Sequence, residues 1–178
     1  MGNIALIGFM GTGKTTVGLS VAEYLGWNFI DTDKEIEKRM GMAIPRIFHE
    51  YGEERFRLEE RLVVQNVSRL QNHVIATGGG VVLNQENINL LRTSSLIVCL
   101  KAEASVILER VKKDQSRPLL AVENPLKMIN KLLTMREPYY KCADIYIDTS
   151  HQEIEAIRGK ILDYFNKRGI DNAGTAYC

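Results

Sequence analysis

Five short apolar runs punctuate the chain, at residues 3–9 (NIALIGF), 27–31 (WNFID), 73–77 (HVIAT), 95–100 (SLIVCL) and 144–148 (DIYID). Each has the length of a buried strand and is too short for a helix. Between them the apolar positions recur every three or four residues. Val17, Val21 and Leu25 share one face of a helix that Gly26 ends. Phe56, Val63, Val64, Val67 and Leu70 form a second stripe, and Ile154, Ile157, Ile161, Leu162 and Phe165 a third. Strands that alternate with helices predict a parallel sheet, because parallel neighbours need crossovers and those helices cover both faces. The expectation is one three-layer α/β domain over residues 1–168.

Two segments fall outside that rhythm. Residues 112–125 (KKDQSRPLLAVENP) are polar with prolines inside and at the end, and read as a mobile loop. Residues 169–178 (GIDNAGTAYC) read as a flexible tail.

Composition narrows the function classes. The 178 residues suffice for a sheet covered on both faces, and 45% apolar with 25% charged residues is ordinary for a globular protein. A net charge of +1 gives bulk electrostatics no grip on nucleic acid or membrane. Cys99, Cys142 and Cys178 are odd in number and widely spaced, which fits a reducing cytoplasm better than a disulfide framework. No apolar run has membrane-spanning length, and Leu6 stands where a myristoylation signal needs Ser or Thr. His49, His73 and His151 are isolated, which argues against a zinc site. A cytoplasmic monomer is expected.

The chemistry begins at residues 8–16 (GFMGTGKTT). Gly8 and Gly13-Lys14-Thr15 fit the G-x-x-x-x-G-K-[ST] phosphate loop, and a strand before it with a helix after it is the context that motif requires. Glycines let successive N–H groups turn toward phosphate oxygens, and a Cβ at Gly11 or Gly13 would crowd that path. Lys14 is spaced to reach the β- and γ-phosphates and Thr15 to bind Mg²⁺. The helix N-terminus adds a favourable dipole.

Ligands of such sheets lie beyond the carboxyl ends of the strands. Asp31 and Asp33 end the second run two residues apart, so on a continuing strand both carboxylates face one way. The alternative for Asp33 is a helix N-cap, since KEIEKRM follows. Gly78, Gly79 and Gly80 end the third run, as a backbone surface for a ligand or as a plain turn. Arg57 has Glu60 three residues on to brace it, Arg136 precedes Pro138 near a helix end, and Arg117 lies on the mobile loop. For any one arginine taken singly a solvated surface charge is the usual reading, and it is the assignment for Arg55, Arg61 and Arg69.

With GFMGTGKTTVG, FIDTD, IPRIFHEYGEERFRLEE, VIATGGG, RPLL and REPYYKCAD in this order, the chain resembles the shikimate kinase family over nearly its whole length. The phosphate loop alone is shared by many folds, whereas the set of six motifs is specific. The resemblance implies a five-stranded parallel sheet of order 2-3-1-4-5 and transfer of the ATP γ-phosphate to the 3-hydroxyl of shikimate. It implies Asp33 as base and hydroxyl ligand, with Lys14 also catalytic and with Arg117 catalytic from a closing lid over about 112–124. Arg57, Arg136, Glu60, Gly78, Gly79 and Gly80 would serve shikimate. Gly11, Thr12, Gly13, Lys14, Thr15, Thr16, Arg110, Arg117 and Gln152 would serve ATP. Thr15 would bind Mg²⁺, with Asp31 supporting it through water. Two guanidiniums do suit a carboxylate, because the planar fork makes a two-point contact.

Two positions depart from the family pattern. Arg46 stands where an acidic residue is frequent, a surface change, and Gln152 where an arginine against adenine is frequent. Gluconate kinase or a nucleotide kinase is the nearest rival. A regulatory GTPase would need N-K-x-D, and NKLL at 130–133 lacks the aspartate. A catalytically dead binding module would not be expected to keep Lys14, Thr15, Asp33 and Arg117 together.

Overall fold

All five apolar runs become strands in a computed structural model of the chain, which describes residues 2–112 and 123–174, with side chains as far as residue 168. They are β1 (Asn3–Ile7), β2 (Asn28–Asp31), β3 (His73–Ala76), β4 (Ser95–Lys101) and β5 (Ile145–Asp148). Every pairing is parallel and the order is β2-β3-β1-β4-β5. β1 lies at the centre, with Ala5 registered against Ile75 on one side and Ile97 on the other. Its five residues are all buried, as expected of a strand covered on both faces.

Alternate side chains of β1 serve opposite cores. Ile4 and Leu6 pack with Val17 and Val21 of α1 (Lys14–Leu25) and with Ile157 and Ile161 of α7 (Ile154–Gly174). Ala5 and Ile7 pack with Val64 of α3 (Ile44–Val67) and with Ile88 and Leu91 of α4 (Gln85–Ser94). Two smaller clusters lie at the flanks. One joins Ile36 of α2 (Thr32–Met40) to Ile47 and Phe56 of α3. The other joins Phe9 to Ile107 of α5 (Ala104–Val111) and Ile129 of α6 (Pro125–Tyr140). Trp27, just ahead of β2, meets Phe165 of α7 edge-on with centroids 5.5 Å apart.

Two expectations change. The second apolar stripe stops at Val67, where α3 ends, and Leu70 is exposed. Helix α7 continues to Gly174, past the boundary expected at 168; residues 175–178 lie outside the described residues. Most of the lid, 113–122 with Arg117, also lies outside them. Burial pushes the Cys99 thiol up to about 11 and raises Cys142 as well, so neither is a thiolate nucleophile at neutral pH. Among the described residues no helix is long and apolar enough to cross a membrane.

Gly8 closes the central strand with φ 140°, and a Cβ there would run into the Leu100 carbonyl oxygen of β4. Gly26, the C-cap of α1, has φ 65°, and a Cβ there would find nothing within 4 Å. Gly26→Ala therefore meets conformational cost alone, about 1 kcal/mol. Gly8→Ala adds a clash with fixed backbone and should cost about 3 kcal/mol. Urea denaturation midpoints measure both, and equal losses would show that β4 yields at no cost.

Candidate active site

The loop after β1 folds on itself before it reaches α1. The Thr12 hydroxyl donates to the Phe9 carbonyl at 2.8 Å, and Gly11 and Gly13 take left-handed φ values of 73° and 88°. A Cβ at Gly11 would lie 2.9 Å from Val111 Cγ1, whereas one at Gly13 meets nothing closer than Val17 at 3.9 Å. Dihedral and crowding together explain Gly11, and the dihedral alone explains Gly13. No side chain caps the amides that open α1, so they remain donors for an anion. Lys14 Nζ lies 2.8 Å from the Gly8 carbonyl and 2.9 Å from that of Phe9, which lays the ammonium across the loop. Thr16 is exposed on the same first turn.

The two aspartates reach the site by different routes. β2 stops at Asp31 and α2 starts at Thr32, so they do not share a strand face. Asp31 is the N-cap instead of Asp33: its Oδ1 accepts from the backbone N–H of Asp33 at 3.0 Å and of Lys34 at 3.4 Å. Its other oxygen, Oδ2, accepts from the Thr15 hydroxyl at 3.0 Å. Asp33 projects from the first helical turn toward Gly78, and its Oδ1 lies against the place where a Gly78 Cβ would be. Buried Thr32 fixes that approach, since its hydroxyl accepts from the Gly78 N–H at 3.1 Å.

The glycine run at the end of β3 is a surface cut to fit side chains. A Cβ on Gly80 would sit 2.7 Å from Arg57 Nη1 and 2.8 Å from Nη2. The Gly79 carbonyl accepts from Arg136 Nη1 at 3.3 Å and from the Tyr140 hydroxyl at 3.1 Å. Arg57 is bracketed on its own helix, by Glu53 at 3.0 Å and Glu60 at 3.0 Å. Glu60 is 1% exposed. Burial raises its pKa, and nearby Asp33 raises it further against the opposing charges of Arg57 and Arg136. Those four charged groups therefore surround one short stretch of backbone.

On the other flank, Arg110 donates from Nη1 to the Gly11 carbonyl at 3.3 Å and the Thr149 hydroxyl at 3.0 Å, and from Nη2 to the Thr149 carbonyl at 2.6 Å. Thr149 is buried and its hydroxyl also reaches the Thr12 carbonyl at 3.0 Å. Gln152 is tied down locally: its amide donates to the Asp148 carbonyl at 2.6 Å and its carbonyl oxygen accepts from Lys160. Arg46 pairs with Glu50 on the surface, as expected. Arg117 lies outside the described residues. Thr149 and Tyr140 were invisible as site residues in the sequence, because a threonine after an edge strand and a tyrosine at a helix end carry no spacing signal.

Comparison with known proteins gives one answer. The family described as shikimate kinase matches residues 10–166. A shikimate kinase of Caldanaerobacter subterraneus subsp. tengcongensis is 54% identical over 167 residues, covering 94% of this chain and 98% of its own. One of Thermodesulfovibrio yellowstonii is 48% identical, covering 94% and 96%. Among solved structures, shikimate kinase from Acinetobacter baumannii in complex with shikimate has TM-score 0.89 and 38% identity, covering 94% of each chain. A gluconokinase from Sinorhizobium meliloti has TM-score 0.61 at 16% identity, covering 99% of this chain and 98% of its own, a likeness of fold alone. The chain belongs to the shikimate kinase family.

Proposed function

We propose that the chain is a cytoplasmic, monomeric shikimate kinase that moves the γ-phosphate of ATP to the 3-hydroxyl of shikimate, leaving ADP and shikimate 3-phosphate. The observation that carries this reading is the pairing of two guanidiniums, Arg57 and Arg136, with one carboxylate, Asp33, around glycine backbone next to a phosphate loop. A polyhydroxy acid needs such a set: arginines for its carboxylate and an acceptor for the hydroxyl that reacts.

The loop amides and Lys14 would hold the β- and γ-phosphates, with the helix dipole behind them. The Thr15–Asp31 contact fits Mg²⁺, the hydroxyl as direct ligand and the carboxylate through water. When bound, that ion neutralises phosphate charge. Asp33 orients the 3-hydroxyl and accepts its proton as the oxygen bonds to phosphorus and the bridging oxygen departs with ADP. Glu60 is engaged by Arg57, so it acts as a positioning residue for shikimate. Arg110, fixed by Thr149, flanks the nucleotide; Gln152 and the lid residue Arg117 are assigned to the same side.

An assay of Mg²⁺-dependent ADP release with shikimate, gluconate and nucleoside monophosphates side by side tests the whole reading, and turnover as fast with gluconate would overturn it. Asp33→Asn should retain much of the shikimate affinity yet lose about two decades or more of kcat, roughly 3 kcal/mol of transition-state stabilisation. A change confined to KM would remove the base assignment.

Arg57→Ala and Arg136→Ala should each weaken shikimate binding on the order of 10- to 150-fold, the range of a charge-assisted bond, while sparing ATP. Calorimetry with each ligand separately decides it. Thr149→Val should do the converse, raising the ATP KM about tenfold as Arg110 and the Thr12 carbonyl lose their shared anchor. Nucleotide-free shikimate affinity should stay at the parent value.

A further inference from the structure

Helix α3 is two segments joined at Gly52, whose φ of 78° and ψ of 177° lie outside the helical region. Only glycine enters that backbone region readily, because an L-residue's Cβ collides with its own backbone there. Lack of room is not the reason, since a Cβ at Gly52 would meet nothing within 4 Å. The dihedral is the whole requirement.

The break has a visible product. Phe48 and Phe56 stack with centroids 4.7 Å apart and planes at 29°. Eight residues of unbroken helix advance about 12 Å, so rings at this spacing cannot stack on a continuous α3. Turning at Gly52 brings the first segment back onto the second, where Ile47 shares a buried cluster with Phe56 and Val63. Phe56 in turn carries the Arg57 guanidinium, whose Cζ stands 5.3 Å from its ring centroid. Glu53, the first residue after the break, holds the same guanidinium from its other edge.

We infer that Gly52 is a positioning residue for substrate recognition: its left-handed break builds the Phe48–Phe56 stack, and that stack sets where Arg57 points. Gly52 touches no substrate. The inference rests on Arg57 being a ligand of the substrate carboxylate. It predicts an effect on the acid acceptor and not on ATP, because the phosphate loop hangs from β1 and α1.

The test compares mirror-image residues. Protein ligation places either L-alanine or D-alanine at position 52. The L-alanine methyl enters open space and the D-alanine methyl takes the other α-hydrogen's place; the observed dihedrals are strained for the L form and favoured for the D form. L-alanine should raise the shikimate KM about tenfold with the ATP KM within about twofold, and D-alanine should restore the parent values. Phe48→Ala, at a 38% exposed ring, should reproduce the L-alanine effect and carries the test if the L-alanine protein does not fold. An unchanged shikimate KM with L-alanine, or equal damage from both enantiomers, would overturn the inference. If Arg57→Ala weakens shikimate binding while L-alanine at 52 does nothing, the Gly52 role fails and the Arg57 role stands. If neither changes it, both fall.

Discussion

The site depends on where the strands of one parallel sheet stop. β1 ends at Ile7, and Gly8 turns the chain out against the Leu100 carbonyl with no room for a side chain. Thr77, after β3, binds the Leu6 carbonyl through both its N–H and its hydroxyl, each at 3.0 Å. Thr149, after β5, takes the Lys101 carbonyl with its N–H at 2.8 Å. Sheet register thus sets the spacing between the phosphate loop, the glycine run, Asp31 and Thr149. Loops placed by such a frame can be irregular yet still hold chemistry in position.

Charge is distributed around that frame in matched pairs. Arg57 lies between Glu53 and Glu60, and buried Glu60 feels Asp33 on one side and Arg136 on the other. Burial alone would lower the Arg57 pKa, but the two glutamates outweigh it and hold the guanidinium charged. Such mutual support carries a liability. Removing Arg57 leaves a buried carboxylate without its ion pair, so part of any binding loss in that variant is a loss of order within α3. Separating the two effects requires stability and affinity to be measured on the same protein.

Most of the fold was legible because its signals are local: apolar runs of strand length, helical stripes, and glycines fixed in spacing around a lysine. Lys14 stands out through the motif spacing around it, whereas Arg57 and Arg136 stand out from the other arginines only through the resemblance to the family. The site was not legible where a backbone event intervenes. The strand-to-helix change at Asp31–Thr32 reassigns the cap and reorients Asp33, and no hydropathy pattern marks the residue at which it falls. Gly52 precedes the helical stripe that begins at Phe56, and no hydropathy signal marks the positive φ at which α3 breaks. Thr149 and Tyr140 act through a hydroxyl on a distant carbonyl, a contact that exists only once the sheet has formed.

Trp27 is the single tryptophan of the chain, and it sits at the amino end of β2. Its indole faces Phe165 of α7 in the core shared with α1. Every proposed ligand contact lies at the opposite, carboxyl end of the sheet. Intrinsic fluorescence excited at the indole band is therefore a clean gauge of α7 docking and of global unfolding, with little optical response to substrate. Ligand titrations by fluorescence need a reporter introduced at the far edge of the sheet.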